Sequence, residues 1–254
     1  MYDCTCGTCN HEPESITLGF KDVFKPLLNS VEKAFKKLHK NGGYKPEDLN
    51  SVEEYKDVIL QTNNILGRAI SNNDVSGEML NRLESDVFLF SGLKTHAQLF
   101  EASRQLLTDE KTIKPFAKFS HDVQGVAKSH QKYLEAEYDF AVGSMQMVDK
   151  WESFNDSERY MLQYRTAADD RVRDTHQALH VTTLKKSDPF WDMFFPPNGW
   201  RCRCTTVEVL AYLNKESDSK KSIENGKSAT SKIGKSGKNK LEIFLWSKPL
   251  YFLW

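Results

Sequence analysis

The chain has 254 residues, 35 basic against 35 acidic, for a formal net charge of zero, with 39% apolar and 28% charged residues. That composition lies at the low edge of globular proteins and above the disordered range. No apolar run approaches the roughly 18 residues of a membrane span, the start MYDCTCGTCNHEPE has no basic region followed by an apolar core, and zero net charge disfavours a compact, strongly basic nucleic-acid-binding domain.

In chain order the first element is a cysteine-rich segment, residues 1–16, in which Cys4, Cys6 and Cys9 stand beside His11. Four potential ligands so close together suit zinc, although an extreme terminus is a common place for disorder. From Leu18 to Leu38, Phe20, Val23, Phe24, Leu27, Leu28, Val31 and Phe35 recur at spacings of three and four. The spacing predicts an amphipathic helix carrying Pro26 inside it. Gly42 and Gly43 stop that helix. Ser51 with Glu54 reads as a capping box for a second helix through about Ile70. A third begins near Ser76, with Gly92 as a break, and a long helical stretch runs from Lys114 to Trp151, weakly interrupted at Gly125 and Gly143. Residues 17–151 therefore read as a helical region whose apolar stripes face a core. His39, His96, His121 and His130 stand singly on these helices and read as surface or partner-bonded histidines.

All five tryptophans, from Trp151 to Trp254, lie beyond residue 150, so a composition boundary falls near 151–158. Residues 152–212 read as a small α+β domain. ERYMLQYRT suggests a short strand or a last helical turn. Asp169 or Asp170 could cap a short helix on which Arg173, His176 and His180 share a face. VTTLKKSD suggests a strand and exit turn, and DPFWDMFFPPNGW a rigid aromatic loop fixed by Pro189, Pro196 and Pro197, with Gly199 in a turn. RCRCTTVEVL has β-branched strand composition, with Cys202 and Cys204 on one face. Beyond it, residues 213–240 carry eight lysines against Glu216, Asp218 and Glu224. The balance of +5 over 215–240 leaves −5 for residues 1–214. This Lys/Ser/Gly-rich segment is expected to be a flexible linker able to touch DNA weakly and without sequence preference. Residues 241–254, LEIFLWSKPLYFLW, form an apolar tail expected to dock on this chain or a partner, or to be the remnant of a longer protein.

RTAADDRVRDTHQALH, followed by DPFW, PPNGW and CRCT in that order, resembles the phage Mu F-like minor head protein family, also described as phage head morphogenesis proteins. The resemblance covers about residues 158–210. It implies a tailed-phage or prophage protein present in few copies, associating with the portal protein and other capsid or scaffold proteins during head assembly. The expected location is the virion, at the capsid interior or portal vertex, after assembly in the host bacterial cytoplasm. Such a protein could be packaged and ejected with the DNA. No established catalytic residue comes with the family, and no small-molecule substrate or membrane span is expected. Some members carry fused toxin or nuclease domains, so the alternative is a carrier for an effector whose C-terminal domain is missing or truncated.

Two chemistries remain open for the motif. His176, His180, Cys202 and Cys204 could close a tetrahedral zinc site between the short helix and the following strand. Otherwise Arg165, Asp170, Arg173 and Asp174 form a salt-bridge network and the cysteines pack as small apolar groups. Arg165, Asp169, Arg173, His176 and His180 would also serve acid–base or phosphate chemistry. No nucleophile motif, phosphate loop or zinc-protease signature accompanies them, so the reading is a non-enzymatic interaction protein. Pro197, Gly199 and Trp200 complete the residues expected to hold the small domain together.

Overall fold

The computed structural model describes residues 20–70 and 76–231. The cysteine-rich segment, residues 232–240 and the apolar tail 241–254 lie outside the described residues. Helices α1 (Phe20–Asn41), α2 (Glu53–Ile70), α3 (Gly77–Ser103) and α4 (Phe116–Ser153) come first. They are followed by strand β1 (Tyr160–Arg165), helix α5 (Asp174–Gln177), strand β2 (Thr183–Leu184), helix α6 (Pro189–Phe194), strand β3 (Thr205–Leu210) and helix α7 (Ser219–Ser231). The fold is thus α+β, a helical N-terminal region ahead of a small sheet, as expected.

The apolar spacing read along residues 18–38 becomes a buried stripe of Phe24, Leu27, Val31, Phe35 and Leu38 on α1. Pro26 sits inside α1, and Ser30 donates its hydroxyl to the Pro26 carbonyl at 3.0 Å. Ser51 does not form the expected box with Glu54: it closes the 3-10 turn Pro46–Asn50, and Glu54 pairs with Lys37 at 3.6 Å. Gly92 does not break α3, and Gly125 and Gly143 do not break α4. A single glycine costs a helix only about 1 kcal/mol, less than packing on both sides returns.

Two hydrophobic clusters form. One gathers Phe24, Leu38, Tyr55, Leu99, Phe119 and Leu134 among the first four helices. The other joins Ile70, Leu83, Phe90, Phe140 and Val148 of the helices to Leu162, Tyr164, Phe190, Trp191 and Cys204. The second cluster runs across the boundary expected at 151/152. Between α3 and α4, the buried Lys94 ammonium donates to both Glu137 carboxylate oxygens.

The sheet is antiparallel, ordered β2-β1-β3. Leu162 opposes Leu184 on one side of β1, and Tyr160 through Arg165 oppose Leu210 through Thr205 on the other. As the central strand, β1 buries Met161, Leu162, Gln163 and Tyr164 in succession, burial on both faces that simple alternation does not announce.

Two expectations fail C-terminally. DPFWDMF is a helix rather than a loop: Asp188 accepts from the Phe190 amide at 2.8 Å and Pro189 occupies the first turn, the arrangement that starts helices. The stretch read as a flexible linker folds over 219–231 as α7. Its docking uses few apolar atoms. Ile223 packs on the second cluster, and Gly226 is buried so close to the Phe194 ring that an added Cβ would lie 2.4 Å from Cζ. Ser219 donates to Asp188 at 2.9 Å, while the Ser217 amide and hydroxyl bond the Thr183 backbone at 2.8 and 3.0 Å.

Candidate functional site

The site forms where the motif loops meet the side of α4. A cleft of about 520 Å³ is lined by Asp139, Phe140 and Gly143 from α4 and by Arg171, Arg173, His176, Arg201, Cys202, Arg203 and Cys204 from the loops. Its position follows from Trp200, whose indole packs edge-on against Phe140 at 4.9 Å and Phe90 at 6.0 Å. That wedge fixes the PPNGW turn against α3 and α4. Gly199 takes a φ of +105°, which only glycine adopts freely.

At the cleft floor three donors converge. Cys204 Sγ lies 3.5 Å and Cys202 Sγ 3.7 Å from His176 Nδ1, and all three ligand atoms lie within 4.8 Å of one another. His176 is buried, and its Nε2–H donates to the Asn198 carbonyl at 2.9 Å. The Asn198 amide donates in turn to Tyr164 Oη at 3.1 Å and to the Phe194 carbonyl at 2.8 Å. Asn198 therefore ties the histidine, the central strand and α6 together. The thiols are unlike: hydrogen bonding from Cys204 and then His176 holds Cys202 below the usual thiol range, whereas its hydrogen-bonded neighbour and burial push Cys204 up.

His180 does not join this group. α5 ends at Gln177, Val181 turns the chain with a φ of +64°, and His180 Nδ1 accepts from the Thr166 amide at 3.1 Å. The face expected to hold Arg173, His176 and His180 therefore does not exist, because the helix is too short to bring residue 180 round. Nor do Asp169 and Asp170 cap α5, whose N-cap is Arg173.

The expected ion-pair network is also redistributed. Arg203 grips Asp169 with two bonds of 2.6 Å, and Arg171 approaches the same carboxylate at 3.5 Å. The Arg203 guanidinium holds the Asp169 carboxyl well below the usual carboxylate range. Arg173 donates to the Trp200 carbonyl. Arg165 lies exposed at the end of β1 opposite Thr205, and Asp170 and Asp174 are exposed, Asp174 opening α5. Pro197 lines the cleft. Sequence reasoning missed Asn198, Arg171, Arg201, Arg203 and Asp139. Burial raises the Asp139 carboxyl, with Glu135 adding to the effect and Arg201 opposing it. The dense arginine spacing through 171–173 and 201–203 was the available signal. Cys4, Cys6, Cys9 and His11 lie outside the described residues.

Among the described residues, no helix is long and apolar enough to cross a membrane. Residues 106–207 match the family model described as Phage Mu protein F like protein. The chain is 41% identical over 54 residues to a protein of Escherichia phage Mu named "Putative capsid assembly protein F". It is 40% identical over 57 residues to the Mu-like prophage FluMu F protein of Haemophilus influenzae. These alignments span 21% and 22% of this chain but only 12% and 14% of the relatives. No solved structure matches significantly. The family match begins just before α4 and ends within β3, so it takes in the cleft and the helix that walls it. The stretch 106–207 of this chain is thus similar to the Phage Mu protein F like family.

Proposed function

We propose that this chain is a minor head protein that associates with the portal protein and neighbouring capsid or scaffold proteins while a phage head assembles. The observation that carries the reading is the family match over 106–207, a stretch that includes α4 and the residues lining the cleft. Its chemistry suits an interaction module rather than a catalyst. Arg173 supports the Trp200 carbonyl, Arg203 is tied to Asp169, and His176 is held by Asn198. The motif's polar groups thus spend their bonds within the fold, and the exposed Arg171 and Arg201 are left beside the cleft as contact points.

In this reading the protein resides in the virion, at the capsid interior or portal vertex, after assembly in the host cytoplasm. Lys215, Lys220, Lys221 and Lys227 are exposed on and before α7, which suits weak, salt-sensitive contact with packaged DNA.

The test is co-expression with the portal protein of the same phage genome. Co-elution on size exclusion, weakened by Arg171→Glu with Arg201→Glu at unchanged thermal stability, is the expected result. Separate elution, together with normal heads when the gene is deleted, would overturn the proposal. Retention on DNA that is equal at 50 and 200 mM salt would remove the DNA component alone.

A further inference from the structure

We infer that His176, Cys202 and Cys204 bind one zinc ion as a three-ligand site whose fourth coordination position opens onto the arginine-lined cleft. Zinc bonds sulfur at about 2.3 Å and imidazole nitrogen at about 2.0–2.1 Å in a tetrahedron. Two such bonds at a tetrahedral angle place nitrogen and sulfur about 3.6 Å apart. The two nitrogen–sulfur separations here are 3.5 and 3.7 Å. Two of the three donor separations thus match edges of the required tetrahedron, and the third lies within 4.8 Å.

The surroundings of the histidine fit as well. A metal-binding imidazole characteristically donates its other N–H to a carbonyl or carboxylate, which fixes the tautomer and ring orientation. His176 donates Nε2–H to the Asn198 carbonyl, leaving the Nδ1 lone pair directed at the sulfurs. Asn198 is itself held by Tyr164 and Phe194, so the ring is aimed by a second layer of bonds.

Among the described residues, no fourth donor joins the cluster, and the fourth position is decided by what lines the cleft. His180 is turned away onto Thr166. All three donors line the cleft with Arg171, Arg173, Arg201 and Arg203. A water molecule or a small oxyanion, drawn by the guanidinium groups, therefore completes the tetrahedron. Zinc takes both sulfurs as thiolates, so binding releases the thiol protons and no redox change occurs. The ion would clamp α5 to the segment leading into β3, closing the loop that contains α6.

The experiment uses the full chain with Cys4→Ser, Cys6→Ser and Cys9→Ser, which removes the other cysteines. Zinc is measured by mass spectrometry after purification under reducing conditions. About one ion per chain is expected, falling at least tenfold in Cys202→Ser or His176→Ala and unchanged in His180→Ala. Cobalt replacement should give a sulfur-to-metal charge-transfer band and the strong visible bands of tetrahedral Co²⁺, a readout that needs no variant to fold. Adding inorganic phosphate should shift the visible bands, since the fourth ligand is exchangeable. Absence of both zinc and the charge-transfer band would overturn the site. Loss of zinc in a folded His180→Ala protein, or cobalt bands indifferent to phosphate and to competing small anions, would overturn the open three-ligand arrangement.

Discussion

Around Leu38 and Tyr55, long helices bury aliphatic and aromatic side chains from extended amphipathic faces, and several neighbours share each contact. Around Trp191 and Tyr164, short elements are held by single polar bonds: Trp191 Nε1 to the Lys185 carbonyl at 2.9 Å, His176 to Asn198, Asn198 to Tyr164. Backbone strain follows the same divide. Among the described residues, four non-glycine residues have positive φ: Ala168, Val181 and Arg201 lie in the motif region, and Lys111 lies in the connection between α3 and α4. Redundant packing tolerates sequence change, whereas a structure made of unique bonds requires particular residues in particular places. The recognisable family residues accordingly fall in the second region.

The contrast can be broken at its centre first. Trp191 is fully buried where the helices meet the motif region, so Trp191→Ala is expected to cost about 3–5 kcal/mol and to loosen both parts in a single urea transition. Unfolding of the motif region alone, with the helical signal unchanged, would show that the two do not share a core.

Glu137→Gln tests the helical side. It strands the buried Lys94 ammonium between α3 and α4, with an expected loss of about 3–5 kcal/mol. The paired change Lys94→Met with Glu137→Leu should recover most of it. Equal losses in the single and double variants would mean that packing around the pair, not the stranded charge, sets the cost.

A smaller effect is expected at Gly226. An added methyl meets the Phe194 ring at 2.4 Å, so Gly226→Ala should displace α7 at a cost of about 1–3 kcal/mol. Limited proteolysis would then cut between 215 and 231 in the variant before the parent. Val181→Gly should act in the other direction, stabilising the protein by about 1 kcal/mol by removing a β-branched residue from the left-handed region.

The least effect belongs to the exposed Asp169–Arg203 pair, and its signature is pH dependence. Because the Asp169 carboxyl is held low in the folded state, the contribution is complete above the ordinary aspartate value of about 4. It is lost as pH falls below that value towards the folded one. Arg203→Gln should flatten the acid limb of Tm against pH and leave Tm near neutrality almost unchanged. A steep acid limb retained in the variant would assign that titration to other carboxylates.

Legibility in the sequence followed the same contrast. The 3.6-residue spacing of Phe24, Leu27, Val31 and Phe35 specified α1, because a long helix repeats its signal over several turns. The α+β division was also readable. Helix α6 was concealed because Pro189 reads as a loop former beside Pro196 and Pro197, although Asp188 followed by Pro189 is a helix start. Helix α7 was hidden because glycine and serine supply its contacts, through a close ring approach and hydroxyl bonds rather than apolar area. His180 was misplaced because i, i+4 spacing has meaning only while a helix continues, and α5 has four residues. Cys202, Cys204 and His176 do converge, but through the extended lead into β3 rather than on a strand face.

Helix α4 contributes to both clusters along 38 residues, a rod of about 57 Å at 1.5 Å per residue. Rods of this kind convert angle into displacement: a tilt of about five degrees at one end moves the other by about 5 Å. Anything that grips the α1 end of this protein therefore also sets the position of the cleft, about 36 Å further along α4, to within a few ångströms, without touching it.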